Sequence, residues 1–272
     1  MELTTSIDNL LYDFSGVPEI QTIGKLAITS AILKAENNCV LGDSYKKREF
    51  KDTLEGTWYF SLFSELNKKA SLITFVERLK NIYFIIFNYD RTIEQYFYNS
   101  IKNFYKASTD QAAEIVNNMN IYHPYGQTGY LQFQKGTIKN NFGRIHEDDI
   151  SEISSLIKTF MLDNFIDDDE YLKARSFLYN ADKVFFLGFA YHKQNLDLLF
   201  DTMQKYNTET SEGNRIPLSN SYYYGTFFEE SEFNKNTIIN DLKNRNRRIK
   251  DFFASDKKCV AFFAEISRAI EF

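Results

Sequence analysis

The chain carries one apolar run, Ile82-Tyr83-Phe84-Ile85-Ile86-Phe87, that stops abruptly at Asn88-Tyr89-Asp90. Aromatic and β-branched residues without polar alternation suit a strand covered on both faces, as parallel strands are. A parallel strand needs crossover connections, usually helices, so this segment restricts the chain to folds in which helices flank a sheet. In open sheets of that class, ligands lie outside the carboxyl ends of the strands. Asn88 and Asp90 stand at that end, and two readings are open. They face a ligand, or they cap the following helix, which carries Tyr96, Phe97, Ile101 and Phe104.

The other elements follow the same grammar. A second apolar strand covers residues 182–189 and ends on Leu187-Gly188-Phe189; a third covers 221–226 and ends on Gly225-Thr226. A short strand at Ile121-Tyr122 runs into the turn His123-Pro124-Tyr125-Gly126. Helical spacing marks residues 3–36 with a break at Gly16-Val17-Pro18, then 57–66, 72–79, 90–107, 109–119 (capped by Thr109 or Asp110), 148–165, 171–179, 195–205 and 231–253. Residues 259–272 read as a terminal helix or a strand and helix. Polar stretches at 45–53, 127–144 and 207–217 read as connections, and 127–144 is the candidate active-site loop. The expectation is an α/β fold: a three-layer, Rossmann-like parallel sheet, helix-rich, with a largely helical insertion. One domain spans residues 1–272, with a helical part (1–79), a nucleotide-binding core (80–230) and C-terminal helices (231–272).

Composition removes several classes. The 272 residues include 26 Phe and 18 Tyr but only 3 Pro and 11 Gly, which disfavours a disordered or loop-built chain. A net charge of −5 offers no global attraction for nucleic acid or an anionic membrane. No stretch approaches the roughly 20 apolar residues that span a bilayer, and the first residues lack a signal-peptide pattern. The two cysteines, Cys39 and Cys259, form no Cys-x-x-Cys pair and read as buried thiols in a reducing cytoplasm. No metal-ligand spacing is present, so no metal is expected. Arg245, Arg247, Arg248 and Lys250 read as a solvated helix face rather than a phosphate patch.

Three strand ends therefore offer polar or glycine turns: Asn88-Tyr89-Asp90, Gly188-Phe189 and Gly225-Thr226. Glycine lets a backbone approach a phosphate or ribose, and helix N-termini favour anions. His123, one of three histidines, stands at a fourth strand end. As a side chain that titrates near neutrality it suits a general base, and it equally suits a hydrogen-bonded structural histidine in a turn. His146 reads as a surface or capping residue; His192 either lines the Gly188 turn or starts a helix.

Taken in order, these segments resemble the sirtuin-type NAD-binding domain, and most closely the sirtuin-like branch of bacterial defence systems. Phe87-Asn88-Tyr89-Asp90, followed by Glu94, resembles its strand-end motif. His123-Pro124-Tyr125-Gly126 resembles its catalytic histidine followed by Tyr-Gly. Gly188-Phe189 through Asn195-Leu196 resembles its later glycine turn, and Ser6-Ile7-Asp8 with residues 23–28 resembles its N-terminal helices. The likeness covers most of residues 6–230. It implies NAD as substrate, cleaved to ADP-ribose and nicotinamide, with Asn88 and His123 as catalytic residues. Asp90 would contact the nicotinamide side or hold the loop, Tyr125 and Gly126 would bind the cofactor, and Gly188, Phe189, Gly225 and Thr226 would lie under the adenosine half. It further implies a cytoplasmic antiphage effector working as a homo-oligomer or with a defence-system partner, without membrane or direct nucleic-acid contact. The alternative is a non-catalytic remnant that senses NAD or ADP-ribose or mediates protein interactions. Deacetylation is disfavoured, because the zinc-binding cysteines of true sirtuins have no counterpart. The family's Gly-Ala-Gly phosphate loop is expected ahead of Ser6 and is absent from the chain, which reads as a lost N-terminus or a short form.

Overall fold

A computed structural model describes residues 7–42, 54–144, 149–158, 168–200 and 220–270. It is mixed α/β, rich in helix, with small parallel sheets. The chain forms two compact units that divide at residues 165 and 166. The expected loops at 45–53 and 207–217 lie outside the described residues, as do residue 148 and residues 159–165 of the expected helix at 148–165.

In the first unit, α1 (Ile7–Asp13) and α2 (Pro18–Asn38) are separated at the Gly-Val-Pro break, with Pro18 at the first turn of α2, where a missing N–H costs nothing. Helices α3 (Trp58–Asn67) and α4 (Leu72–Lys80) start on Thr57 and Ser71, whose hydroxyls accept the backbone N–H groups of Phe60 and Thr74. Strand β1 (Tyr83–Ile85) leads to α5 (Thr92–Tyr105), α6 (Thr109–Asn117) and β2 (Asn120–Tyr122). The cap of α6 is Ser108 rather than Thr109 or Asp110, because Ser108 and Gln111 form a reciprocal capping box. β1 and β2 pair in parallel, Tyr83 with Asn120 and Ile85 with Tyr122, and Ile86 N–H extends the ladder to the Tyr122 carbonyl. β1 is half-buried, not enclosed on both faces, and β2 is its only strand neighbour among the described residues. A short α7 (Ile150–Ser154) completes the unit.

Aromatic packing holds these helices to the sheet. Phe97 of α5, fully buried, meets Phe84 of β1, Phe63 of α3 and Phe75 of α4 with ring centroids 5.9, 6.1 and 6.5 Å apart.

Beneath the end of β1 lies a buried ion pair. Arg91 and Glu36 have no exposed side-chain surface. The guanidinium donates to both Glu36 oxygens, at 2.6 and 3.1 Å, and the Arg91 backbone N–H adds a third bond at 2.9 Å. The remaining donors reach the carbonyls of Asn140 and Asn141, and Glu36 also accepts the Gly143 N–H. Gly143 sits at φ +66°, and a Cβ there would fall 2.5 Å from the Asn37 backbone, so only glycine admits this crossing. Every nitrogen of the guanidinium and both carboxylate oxygens are thus engaged, as a buried charge pair requires.

The second unit contains α8 (Asp169–Asn180), β3 (Lys183–Phe186), α9 (Lys193–Phe200), β4 (Ser221–Thr226), α10 (Glu232–Arg245), β5 (Ile249–Ser255) and α11 (Cys259–Ile266). Its parallel sheet has the order β3-β4-β5, with Phe186 opposite Gly225 and Gly225 opposite Ala254. Phe186, Tyr223 and Phe252 form one face of the core, and Asn246 donates its side-chain amide to the Tyr223 hydroxyl.

β5 corrects the expectation of helix through residue 253. Asn246 leaves the helix in extended conformation, and Ile249, Phe252 and Ser255 turn inward while the intervening charged residues stay outside. Those charges conceal the strand in the sequence. The basic run is accordingly not one helix face. Arg245 pairs with Asp241 and Asp197, Arg248 lies over the Tyr179 ring, and Lys250 lies over Tyr222. Among the described residues no helix is long and apolar enough to cross a membrane.

Arg91→Ala removes one partner of a buried pair and strands the other, so we expect a loss of about 3–5 kcal/mol in unfolding free energy by denaturant titration. Replacing Glu36 and Arg91 together by apolar residues is expected to cost less than the single change, because no uncompensated charge remains.

Candidate functional site

The carboxyl ends of β1 and β2 lie side by side, since the strands are parallel neighbours in register. Asn88 is exposed just beyond β1. His123 immediately follows β2, and its side chain is only 8% exposed. The ring bridges the two strand ends. Nδ1 lies 3.2 Å from the Asn88 carbonyl oxygen, and Nε2 lies 3.0 Å from Oε1 of Glu94 in the first turn of α5. Glu94 is itself buried, and Gln134 of the 127–144 loop reaches the same oxygen at 3.5 Å. Burial opposes a charge on His123. The adjacent Glu94 carboxylate, its hydrogen bond, the Asn88 carbonyl and Asp90 outweigh it and hold the pKa above the ordinary 6.5.

Asp90 folds into an Asx turn ahead of α5: its Oδ1 accepts the Thr92 N–H at 3.0 Å, while the N-cap position is Arg91, which makes no side-chain cap. Tyr89 faces inward, and its carbonyl accepts the Thr128 N–H, tying the loop to the strand end. Tyr125 is buried, its ring edge against Phe87 at 5.7 Å, and its carbonyl accepts the Lys158 N–H. Gly126, at φ +76°, makes room for the Leu156 carbonyl, which would lie 1.9 Å from a Cβ. Its glycine requirement is met by packing within the protein.

Gly188, Phe189, Gly225 and Thr226 belong to the second unit. Gly188 follows β3 at φ +59° and is exposed, with only Cys259 Sγ near the position of a Cβ, at 3.8 Å. Its N–H donates to the Thr226 hydroxyl at 2.9 Å, so Thr226 staples the turn from the end of β4. Phe189 packs on Phe186 and Tyr191. Gly225 is buried, and a Cβ there would fall 2.2 Å from the Tyr191 hydroxyl and 3.0 Å from the Phe252 ring, so the absent side chain is replaced by the protein's own aromatics. Of the four, Gly188 alone presents open space at a strand end. His192 is exposed, and His146 lies outside the described residues.

Cys39 and Cys259 are free and half-buried, and burial raises both thiols, which keeps them protonated. Among the described residues no group of three or more His, Cys, Asp or Glu is placed to hold a metal ion.

The first unit thus unites Asn88, Asp90 and His123 around Glu94, which in the sequence is only the acidic residue following the Asn88-Tyr89-Asp90 tip. Glu94 is 29 positions from His123. The available signal was its place in the first turn of a helix that follows a strand end, where a carboxylate is favoured.

The raised pKa of His123 has a stability consequence. The protonated form is preferred in the folded state, so its contribution is complete below about pH 6.5, the unfolded value, and is lost as pH rises through the folded value. Denaturant titrations are expected to show unfolding free energy declining as pH rises above about 6.5, and His123→Gln is expected to flatten that decline.

Compared with protein-family models, with curated proteins and with solved structures, the chain finds no match in any of the three.

Proposed function

We propose that the protein is a sirtuin-like NAD hydrolase that releases nicotinamide and ADP-ribose. The three-layer Rossmann-like sheet and helical insertion implied by the resemblance belong to the same proposal. One observation carries it: Asn88 and His123, 35 positions apart, meet at the carboxyl ends of adjacent parallel strands, 3.2 Å between ring nitrogen and carbonyl. That is where α/β sheets bind ligands.

The chemistry suits the groups present. In NAD the bond from ribose C1′ to the pyridinium nitrogen breaks, and its electron pair neutralises that nitrogen, so the leaving group needs no proton. Water oxygen bonds to C1′ and one proton is released. Positive charge develops on the ribose in the transition state. Glu94 and Asp90 together supply two negative charges against one on a protonated His123, a balance that favours a cationic transition state. The exposed Asn88 amide is the group available to orient ribose or water. In this reading Asp90 shapes the turn, and Tyr125 and Gly126 support it. The protein would act in the cytoplasm as an antiphage effector that depletes NAD, as a homo-oligomer or with a partner protein.

A second reading, a non-catalytic module that senses NAD or ADP-ribose or binds another protein, is favoured by a specific feature. Both ring nitrogens of His123 and the N–H of Gly188 are already engaged within the protein.

Purified protein incubated with NAD is expected to release nicotinamide above the buffer blank. Asn88→Ala is expected to reduce the rate about 10²–10³-fold, the usual cost of one preorganised polar group. No release by the wild type overturns the hydrolase reading, and a rise in melting temperature with ADP-ribose would then support the sensing module.

A further inference from the structure

We propose that Glu94 is a positioning residue that holds His123 as an imidazolium and thereby locks the turn that presents Asn88. The proposal rests on the reading of Asn88 as the group that meets NAD, but its geometric part stands independently.

A neutral imidazole has one donor nitrogen and one acceptor nitrogen. Nδ1 of His123 faces a backbone carbonyl, and Nε2 faces a carboxylate oxygen. Both are acceptors. Either neutral tautomer would set a nitrogen lone pair against an oxygen lone pair at 3.0–3.2 Å in a buried site. With Glu94 ionised, only the doubly protonated ring satisfies both contacts.

The surroundings supply the compensating charge. Glu94 lies in the first turn of α5, where helix N–H groups favour a negative side chain. Its Oε2 is buried and has no hydrogen-bond partner among the described residues. The imidazolium is therefore its closest charge partner. Gln134 contributes an uncharged donor to Oε1, and Asp90 adds a second carboxylate to the field at His123. Arg91, the cation that follows Asp90, is committed to Glu36 and to the carbonyls of Asn140 and Asn141.

The consequence reassigns the histidine. In this state His123 has no lone pair to act as a base. It is a donor whose Nδ1–H fixes the Asn88 carbonyl, and with it the direction of the exposed Asn88 side chain. Deprotonation at high pH weakens that tie. Activity then falls on the alkaline side because Asn88 loses its orientation.

The test is a pH titration of the three imidazoles by nitrogen-15 NMR on the full chain, with His123→Gln identifying the His123 signals. His123 is expected to titrate above His146 and His192, with both ring nitrogens protonated at pH 7. In Glu94→Gln, which keeps the shape and removes the charge, its midpoint is expected to drop; Glu94→Asp is expected to restore it in part. A wild-type midpoint level with the other two histidines overturns the proposal, and so does a midpoint unmoved in Glu94→Gln. Should Glu94→Gln fail to fold, the wild-type titration decides alone. Nicotinamide release by the same proteins reads the functional half. Glu94→Gln is expected to lose about 10²-fold in turnover at pH 8 and to shift the alkaline limb of kcat to lower pH. A uniform loss without a shifted limb marks a merely structural role and overturns the positioning assignment. An inert wild type whose His123 titrates high overturns the hydrolase reading and leaves the charge assignment standing.

Discussion

The first unit depends on a charge pair that water does not reach. Arg91 and Glu36 are both buried, and their hydrogen bonds join the C-terminal turns of α2, the start of α5 and the 140–143 loop. Removing two charges from water costs several kcal/mol per ion, and the interaction repays this only when every donor and acceptor is placed. The geometry around the pair is accordingly over-determined, down to a glycine at residue 143 that permits the Asn37 backbone to pass. Arg91 immediately follows Asp90. The polar tip of β1 therefore stands on a buried, densely hydrogen-bonded base.

Upon that base the candidate site is a second charge arrangement of a different kind. His123 and Glu94 are also buried, yet the carboxylate and the neighbouring oxygens push the histidine above its ordinary pKa, and Glu94 Oε2 has no hydrogen-bond partner among the described residues. A structural pair completes its bonds; this one leaves part of its bonding capacity unused beside an exposed amide, Asn88. That contrast within one unit favours a functional over a purely structural role. The glycines separate in the same way. Gly126 and Gly225 are occupied by the protein's own carbonyl and hydroxyl, whereas Gly188 adjoins open space.

Much of the fold was legible from local chemistry. Ser, Thr and Asp caps at Thr57, Ser71, Asp168 and Ser231 mark helix starts that residue type and hydrophobic spacing announce. β5 was not legible, because Lys250 and Asp251 on its outer face read as a continuation of the charged helix before it. The half-burial of β1 was not legible either. Its apolar run specifies a strand, but the number of neighbours a strand acquires is a property of the sheet. In the site, Asn88 and His123 were visible as polar residues at strand ends. Their meeting, and the part played by Glu94, depended on the parallel register of β1 and β2.

By itself the sequence determined the periodicities, the caps and the strand ends, because each is set within a few residues by hydrogen bonding and side-chain spacing. The tertiary structure alone decided which of those ends are neighbours, which glycines are filled and in which direction the pKa of His123 is pushed. These depend on atoms brought together from positions 29 to 107 residues apart. A histidine's charge follows from the oxygens around it, and no local pattern in the chain specifies which oxygens those will be.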